Sequence, residues 1–408
     1  MTERRIWMRG LALAALTGAL VLLAGCSGPV RETSSPAPSH AAPEPSAAPE
    51  PAPAVIRALG REFDGTETQL DLSDVSPEDM DEILSLIPRL PRLSHIKTEA
   101  PDGEDRWQLE ELSRLREGLD REIPISCRFE LFGHTVSSED EEISYVREYI
   151  GDEQLPSLRK ALPLLSGCRR LVLDDCMLTY EKLAELREEF PERGLVWRVR
   201  YGVESSLTDD TTIWSGSLTD ENCDVLKYCT EVLYLDVGEN HQQTNFRFLD
   251  SMTKLQVVIV AHTKFNYCDF VTHCPDLEYL ELDHTPVDDL TPLAGCENLR
   301  HLSVESILTL TDITPLYQLK GLERLRICIV PKVPAEQIRA LSEELPDTLL
   351  ITSVNPYWRR DRNGNRVERY ILLQEQIGYS YYFRATDRVD WDYIHSMGYD
   401  HRSVFTCS

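Results

Sequence analysis

Between residues 229 and 330 apolar positions recur as L-x-x-L-x-L, with Ile or Val admitted. The pattern stands at Val232/Leu235/Val237, Leu255/Val258/Val260, Leu277/Leu280/Leu282, Leu299/Leu302/Val304 and Leu322/Leu325/Ile327. Its middle positions advance by 23, 22, 22 and 23 residues, and a diverged copy lies at Cys168/Leu171/Leu173. Each copy predicts a short strand whose alternate residues face one side. Such a strand buries its apolar set only against its neighbours. The spacing therefore predicts parallel strands stacked side by side, with return segments along the other face.

Residues 56–228 carry a looser version of the same plan. QLDLSDV (69–75), PEDMDEILSLIPRL (77–90) and SHIKTE (94–99) read as strand, helix and strand. A longer unit then appears from 112 and again from 183. Both copies run from an amphipathic helix through a β-rich stretch, a glycine and an acidic pair to an isoleucine. A partial third copy starts at 338. These are read as irregular, helix-bearing repeats of one array.

Period and motif resemble leucine-rich repeats, whose units run to about 20–29 residues. The segments VDDLTPLAGCENL (287–299) and LTDITPLYQLKGL (310–322) align with one another. Their Asp-Leu-Thr-Pro-Leu and Asp-Ile-Thr-Pro-Leu resemble the convex side of internalin-like bacterial repeats. The ninth motif position, usually Asn in that family, holds Cys176, Asn240, Thr263, Thr285 and Ile307. Ile307 departs from the pattern, and an irregular coil is expected there. The expected fold class is α/β: a leucine-rich-repeat solenoid with a curved parallel sheet and a helical or irregular convex side, its regular repeats spanning 229–350.

The resemblance implies a binding protein that takes a protein or glycan ligand on its concave face. The third, fifth and seventh motif positions should point out from that sheet. The expected ligand face is therefore Tyr234, Asp236, Val257, Ile259, Tyr279, Glu281, Asp283, His301, Glu305, Arg324 and Arg326. It reads as an apolar strip flanked by two Tyr, then an acidic patch, then two Arg. Tyr and Arg are enriched in binding hot spots, and apolar strips mark interaction surfaces.

The start of the chain reads as an export signal. Arg4, Arg5 and Arg9 precede an apolar run from Leu11 to Leu23, which ends in Leu23-Ala24-Gly25-Cys26. The run is short for a membrane span, which needs roughly 20 apolar residues. The four-residue ending resembles the bacterial lipobox. That resemblance implies cleavage after residue 25, a diacylglyceryl group on Cys26, and an extracytoplasmic protein held on the bacterial cell membrane. Stable anchoring needs more than one acyl chain. Residues 26–55 are rich in Pro, Ala, Ser and Glu without apolar periodicity. They read as a disordered spacer that extends by up to ~3.1 Å per residue.

Composition narrows the functions. The 408 residues carry 42 Lys+Arg against 69 Asp+Glu, a net charge of −27. That charge argues against nucleic acid as a partner, because phosphate neutralisation needs a basic surface. It also argues against a polybasic face on anionic lipid. Hydrophobic residues at 42% suffice for a core. Cys229, Cys274 and Cys296 each stand three residues before a motif start, a placement that reads as small apolar packing. Adjacent copies would sit ~4.8 Å apart, near disulfide range, so pairing is open. His262 and His284 are 22 residues apart and should be neighbours at the strand ends.

No GxSxG, HExxH or P-loop pattern occurs, and no catalytic residue, metal or cofactor is assigned. The segment 351–408 is rich in Tyr, Trp and Arg and reads as a C-terminal cap. Asn363-Gly364 is a hairpin signal there. A calcium loop drawn through Asp361, Asn363 and Asn365 lacks the later Glu. Two other functions stay open: an exported enzyme acting on envelope polysaccharide, and a structural envelope component.

Overall fold

The computed structural model describes residues 55–352. The expected signal peptide, Cys26, the spacer up to Ala54 and the C-terminal segment from Ser353 lie outside the described residues, as does the expected calcium loop. The first element is an antiparallel hairpin of β1 (Val55–Ala58) and β2 (Arg61–Asp64). Leu59 and Gly60 turn it with φ of 52° and 69°. Two positive φ values in a two-residue loop match the right-handed twist of the flanking strands.

Parallel ladders follow. β3 (Gln69–Asp71), β4 (His95–Lys97) and β5 (Ile125–Ser126) pair in sequence order. Helices α1 (Met80–Leu86) and α2 (Leu109–Glu117) fill the returns and bury Met80, Ile83, Leu86, Leu112 and Leu115. The chain then runs through Cys127 into β6 (Arg128–Leu131) and folds back as β7 (His134–Ser137). The second ladder is β8 (Glu142–Val146), β9 (Arg170–Asp174) and β10 (Leu195–Tyr201), with helices α3 (Leu155–Ala161) and α4 (Tyr180–Glu189) between them. The strand β10 overshoots the ladder and returns as β11 (Glu204–Leu207).

The two overshooting hairpins are the same device, 70 residues apart in the chain. Cys127 N–H donates to Ser138 Oγ at 3.0 Å, and Trp197 N–H donates to Thr208 Oγ1 at 3.3 Å. Ser137 N–H donates to Asp140 Oδ2 at 2.7 Å, and Leu207 N–H to Asp210 Oδ2 at 2.8 Å. The acidic residue of each unit thus closes the turn into the next strand.

The third ladder has seven parallel strands: β12 (Thr212–Trp214), β13 (Tyr234–Asp236), β14 (Val257–Ile259), β15 (Tyr279–Glu281), β16 (His301–Ser303), β17 (Arg324–Arg326) and β18 (Leu349–Ile351). Leu235, Val258, Leu280, Leu302 and Leu325 pair in one row and are fully buried. Most returns here are short 3-10 helices, among them Thr291–Gly295 and Thr314–Gln318. These two start where an aspartate accepts from the backbone. Asp289 Oδ1 accepts from Thr291 N–H at 2.8 Å and Asp312 Oδ1 from Thr314 N–H at 3.0 Å. A proline in the first turn follows, which pre-sets φ. The third long unit enters as helix α5 (Ala335–Glu344) and ends in β18. One continuous apolar core runs from Ile56 to Leu345. Parallel strands sharing that core, at a 22–23-residue period from Leu235 to Leu325, give the described residues a solenoid architecture.

A left-handed residue closes five successive coils: Glu239, His262, His284, Ser306 and Ile329, with φ between 53° and 63°. The amides of the first four donate to Ala261, Asp283, Glu305 and Cys328 carbonyls in the next coil at 2.8–2.9 Å. The expectation of an irregular coil at Ile307 is corrected here. Ser306 keeps the left-handed turn, and Ile307 is fully buried, filling the inward slot with hydrocarbon. Asn240 fills that slot with hydrogen bonds instead. Its amide donates to the Ser215 and Val237 carbonyls at 2.8 Å, and its Oδ1 accepts from Leu218 N–H at 2.8 Å.

Candidate functional site

The face expected to carry ligand is assembled by the third ladder. Tyr234, Val257, Tyr279, His301 and Arg324 pair across strands into one row. Asp236, Ile259, Glu281, Ser303 and Arg326 form the next row. Asp283 and Glu305 continue it just past the strand ends. All eleven residues named from sequence therefore belong to one face.

That face differs from expectation in its exposure. Tyr234 and Ile259 are 2% exposed, His301 3%, Val257 and Tyr279 4%, and Asp236, Glu305 and Arg324 8%. Glu281 and Arg326 are half-buried. The positions expected to point out from the sheet do lie opposite the core row, but they are not open to solvent: the strands are largely buried on both sides. Tyr234, Val257, Ile259, Ala261 and Tyr279 are buried without belonging to the continuous core. They form a second apolar layer, separated from the first by the sheet itself.

The polar groups of the layer are tightly organised. The Tyr279 and His301 rings stack at 4.3 Å with 2° between their planes. Tyr279 Oη donates to Glu281 Oε2 at 2.9 Å. Asp283 accepts from Ser303 Oγ at 2.6 Å, from Glu305 N–H at 2.8 Å and from Arg326 Nη1 at 2.9 Å. Arg326 also pairs with Glu305 through Nη2. Burial pushes the Glu281 carboxyl up, with the Asp283 charge adding to the shift. Burial likewise raises Asp283, against the Ser303 hydrogen bond and the Arg326 charge. Asp236 is pushed up to about 6 by burial, opposed by the Gly238 amide and aided by Glu239.

These shifts fix a sign for stability. The folded chain holds the Asp236 proton up to about pH 6, whereas the unfolded chain loses it near 3.8. The contribution is complete at low pH and is lost as pH rises through that window, by ~2–3 kcal/mol. Urea unfolding at pH 5 and pH 7.5 should show a smaller loss of stability with rising pH for Asp236→Asn than for wild type. Equal pH dependence in the two proteins would contradict a buried, proton-holding Asp236.

At the strand ends the His262 and His284 rings stack at 4.2 Å with 16° between planes. Burial and the His262 charge lower the His284 pKa. Among the described residues no group of three or more His, Cys, Asp or Glu is placed to hold a metal. Cys229 and Cys274 are buried thiols, pushed up to about 12 by burial, and Cys296 is half-buried.

Sequence reading named neither the matching strand residues of the second ladder nor Trp214 of β12. Val172 and Val196 pair in register in the second ladder and are buried outside the main core. Trp214 pairs with Asp236 and is 45% exposed. It borders a 480 Å³ cleft lined also by Tyr201, Glu204, Asp210 and Thr212. The available signal was alternation: Leu171-Val172-Leu173 and Leu195-Val196-Trp197 align once the second is read as a strand.

No family model and no curated protein matches the chain. Solved structures similar to it include internalin C2 of Listeria monocytogenes, at 18% identity over 55% of this chain and 80% of that one, TM-score 0.28. An internalin F of the same organism aligns at 18% identity over 54% and 70%, TM-score 0.27. A leucine-rich-repeat protein of Leptospira interrogans aligns at 12% identity over 65% and 73%, TM-score 0.28.

Proposed function

We propose that this chain is an extracytoplasmic lipoprotein, held on the bacterial membrane through Cys26, whose solenoid binds a polypeptide on the strand face of β12–β17. The Leu23–Cys26 motif supports the anchoring. Among the described residues no helix is long and apolar enough to cross a membrane. The observation that carries the binding reading is the second apolar layer: Tyr234, Val257, Ile259 and Tyr279, ordered beside Asp236, Glu281, Asp283 and Glu305, lie outside the solenoid core. Such a strip with fixed carboxylates fits a segment that brings apolar or aromatic side chains and positive charge.

The test uses Trp214, the half-exposed aromatic of the same face. Immobilised mature chain should capture an envelope polypeptide, and Trp214→Ala should weaken that capture at least ~10-fold, or ~1.4 kcal/mol. Leu308→Ala, at an exposed site on a return segment, serves as the control. Equal capture by wild type and Trp214→Ala would place recognition elsewhere.

A further inference from the structure

We infer that the histidine row at the coil corners, His241, His262 and His284, is an acid-operated latch. With neutral rings it clips three successive coils together, and a second proton on the row parts it. The inference goes beyond the binding reading and does not depend on it.

The fold builds the row. Glu239, His262 and His284 occupy the same left-handed corner in successive coils, with φ of 63°, 58° and 58°. A corner repeated at the strand spacing of ~4.8 Å brings its side chains into contact. The His262 and His284 rings accordingly lie face to face at 4.2 Å. His241, two residues past Glu239, meets the His262 ring edge-on at 6.2 Å and 89°. Its Nδ1 lies 3.0 Å from the His262 carbonyl oxygen. That oxygen can only accept, so Nδ1 carries the proton and Nε2 of the neutral ring is bare. Backbone bonds join the same coils beside the rings. His262 N–H donates to the Asp283 carbonyl at 2.8 Å, and His284 N–H to the Glu305 carbonyl at 2.9 Å.

The carboxylates around the row serve one added proton and not two. Glu239 stands between the first two rings, with Oε2 3.5 Å from His241 Nε2 and Oε1 3.9 Å from His262 Nε2. A single cation there has a counter-charge. The acid beside His284 is Asp283, and it is already engaged by Ser303 Oγ, Glu305 N–H and Arg326 Nη1. Glu305 pairs with Arg326 as well. A charged His284 would therefore meet the His262 ring on its face and feel the Arg326 charge, with no uncommitted carboxylate of its own among the described residues. Burial against its neighbours, followed by the His262 charge, lowers the His284 pKa. Two cationic rings in contact repel, and the row is open to water, His241 at 64% and His262 at 39% exposure. A charged ring gains hydration by swinging out. The folded chain takes up this proton less readily than the unfolded chain. The contribution of the latch is thus complete at neutral pH and is lost as pH falls below the usual imidazole range.

Asp236 acts in the opposite sense, so the test is local. On purified, full-length mature chain, amide hydrogen exchange is compared at pH 7.5 and pH 5 after correction for intrinsic rates. Protection of the His262 and His284 amides should fall at least ~10-fold at pH 5. Leu171 and Leu173 in β9 should keep theirs. His284→Asn removes one titrating ring and keeps a residue that accepts the left-handed corner. In that variant the His262 amide should show no such fall. Ring resonances give a second readout: His284 should titrate at higher pH in His262→Asn than in wild type, because one opposing charge is gone. Undiminished wild-type protection at pH 5, an equal fall in His284→Asn, or a His284 titration unmoved by His262→Asn would overturn the latch.

Discussion

Leu280→Ala is expected to lower the stability of the solenoid by ~2–5 kcal/mol, through lost burial and the cavity left behind. Leu280 is fully buried at the centre of the seven-stranded sheet, paired between Val258 and Leu302. A repeat array is stabilised through contacts between neighbours, so the damage should spread into the flanking coils. Urea unfolding measures the loss, and hydrogen exchange shows its extent. Amides of β14 and β16 should exchange faster, while those of β3 and β4 should change least. Leu308→Ala, at an exposed site, should stay within ~0.5 kcal/mol of wild type. A Leu280→Ala protein as stable as wild type would mean that this row does not face the core.

Arg326→Met should cost about as much by a different route. The guanidinium bridges Asp283 and Glu305, all three side chains being at most 12% exposed. Removing the cation leaves two carboxylates buried beside one another, a change that typically costs ~3–5 kcal/mol. Asp283 is already raised by burial in the presence of Arg326, and loss of that charge raises it further. The folded variant then holds a proton that its unfolded chain releases. Its deficit should be smallest near pH 5 and grow as pH rises to 8. Adding Asp283→Asn and Glu305→Gln should recover most of the loss, because neutral amides need no counter-charge. Asn at 283 also keeps an acceptor for the Ser303 hydroxyl and the Glu305 amide. A pH-independent deficit, or no recovery in the triple variant, would mean that the cluster is not electrostatically linked.

The regular coils were legible because L-x-x-L-x-L fixes both the strand and the side that faces in. Register followed from the period, and so the Tyr234 and Asp236 rows were assembled correctly from sequence. The N-terminal ladders were less legible. β10 carries Leu195 and Trp197 inward without a Leu motif, and its overshoot hides the repeat inside a hairpin. The turn at Leu59-Gly60 places a branched residue at positive φ, where local preference favours Asn, Asp or Gly. Ile307 shows that the inward slot closed by hydrogen bonds at Asn240 is filled by hydrocarbon in a later coil. The burial of the strand face was not legible at all. Alternation states which residues share a face, but whether that face meets water depends on a second layer, which no local period encodes.

The most direct measurement is photo-cross-linking in intact cells from p-benzoylphenylalanine at three positions: 214, 279 and 308. The account predicts adducts to one polypeptide partner from 214 and 279, on the strand face, and none from 308, on the return side. Adducts to a partner from 308 alone, or none from the strand face in cells where the chain is lipidated and folded, would contradict it.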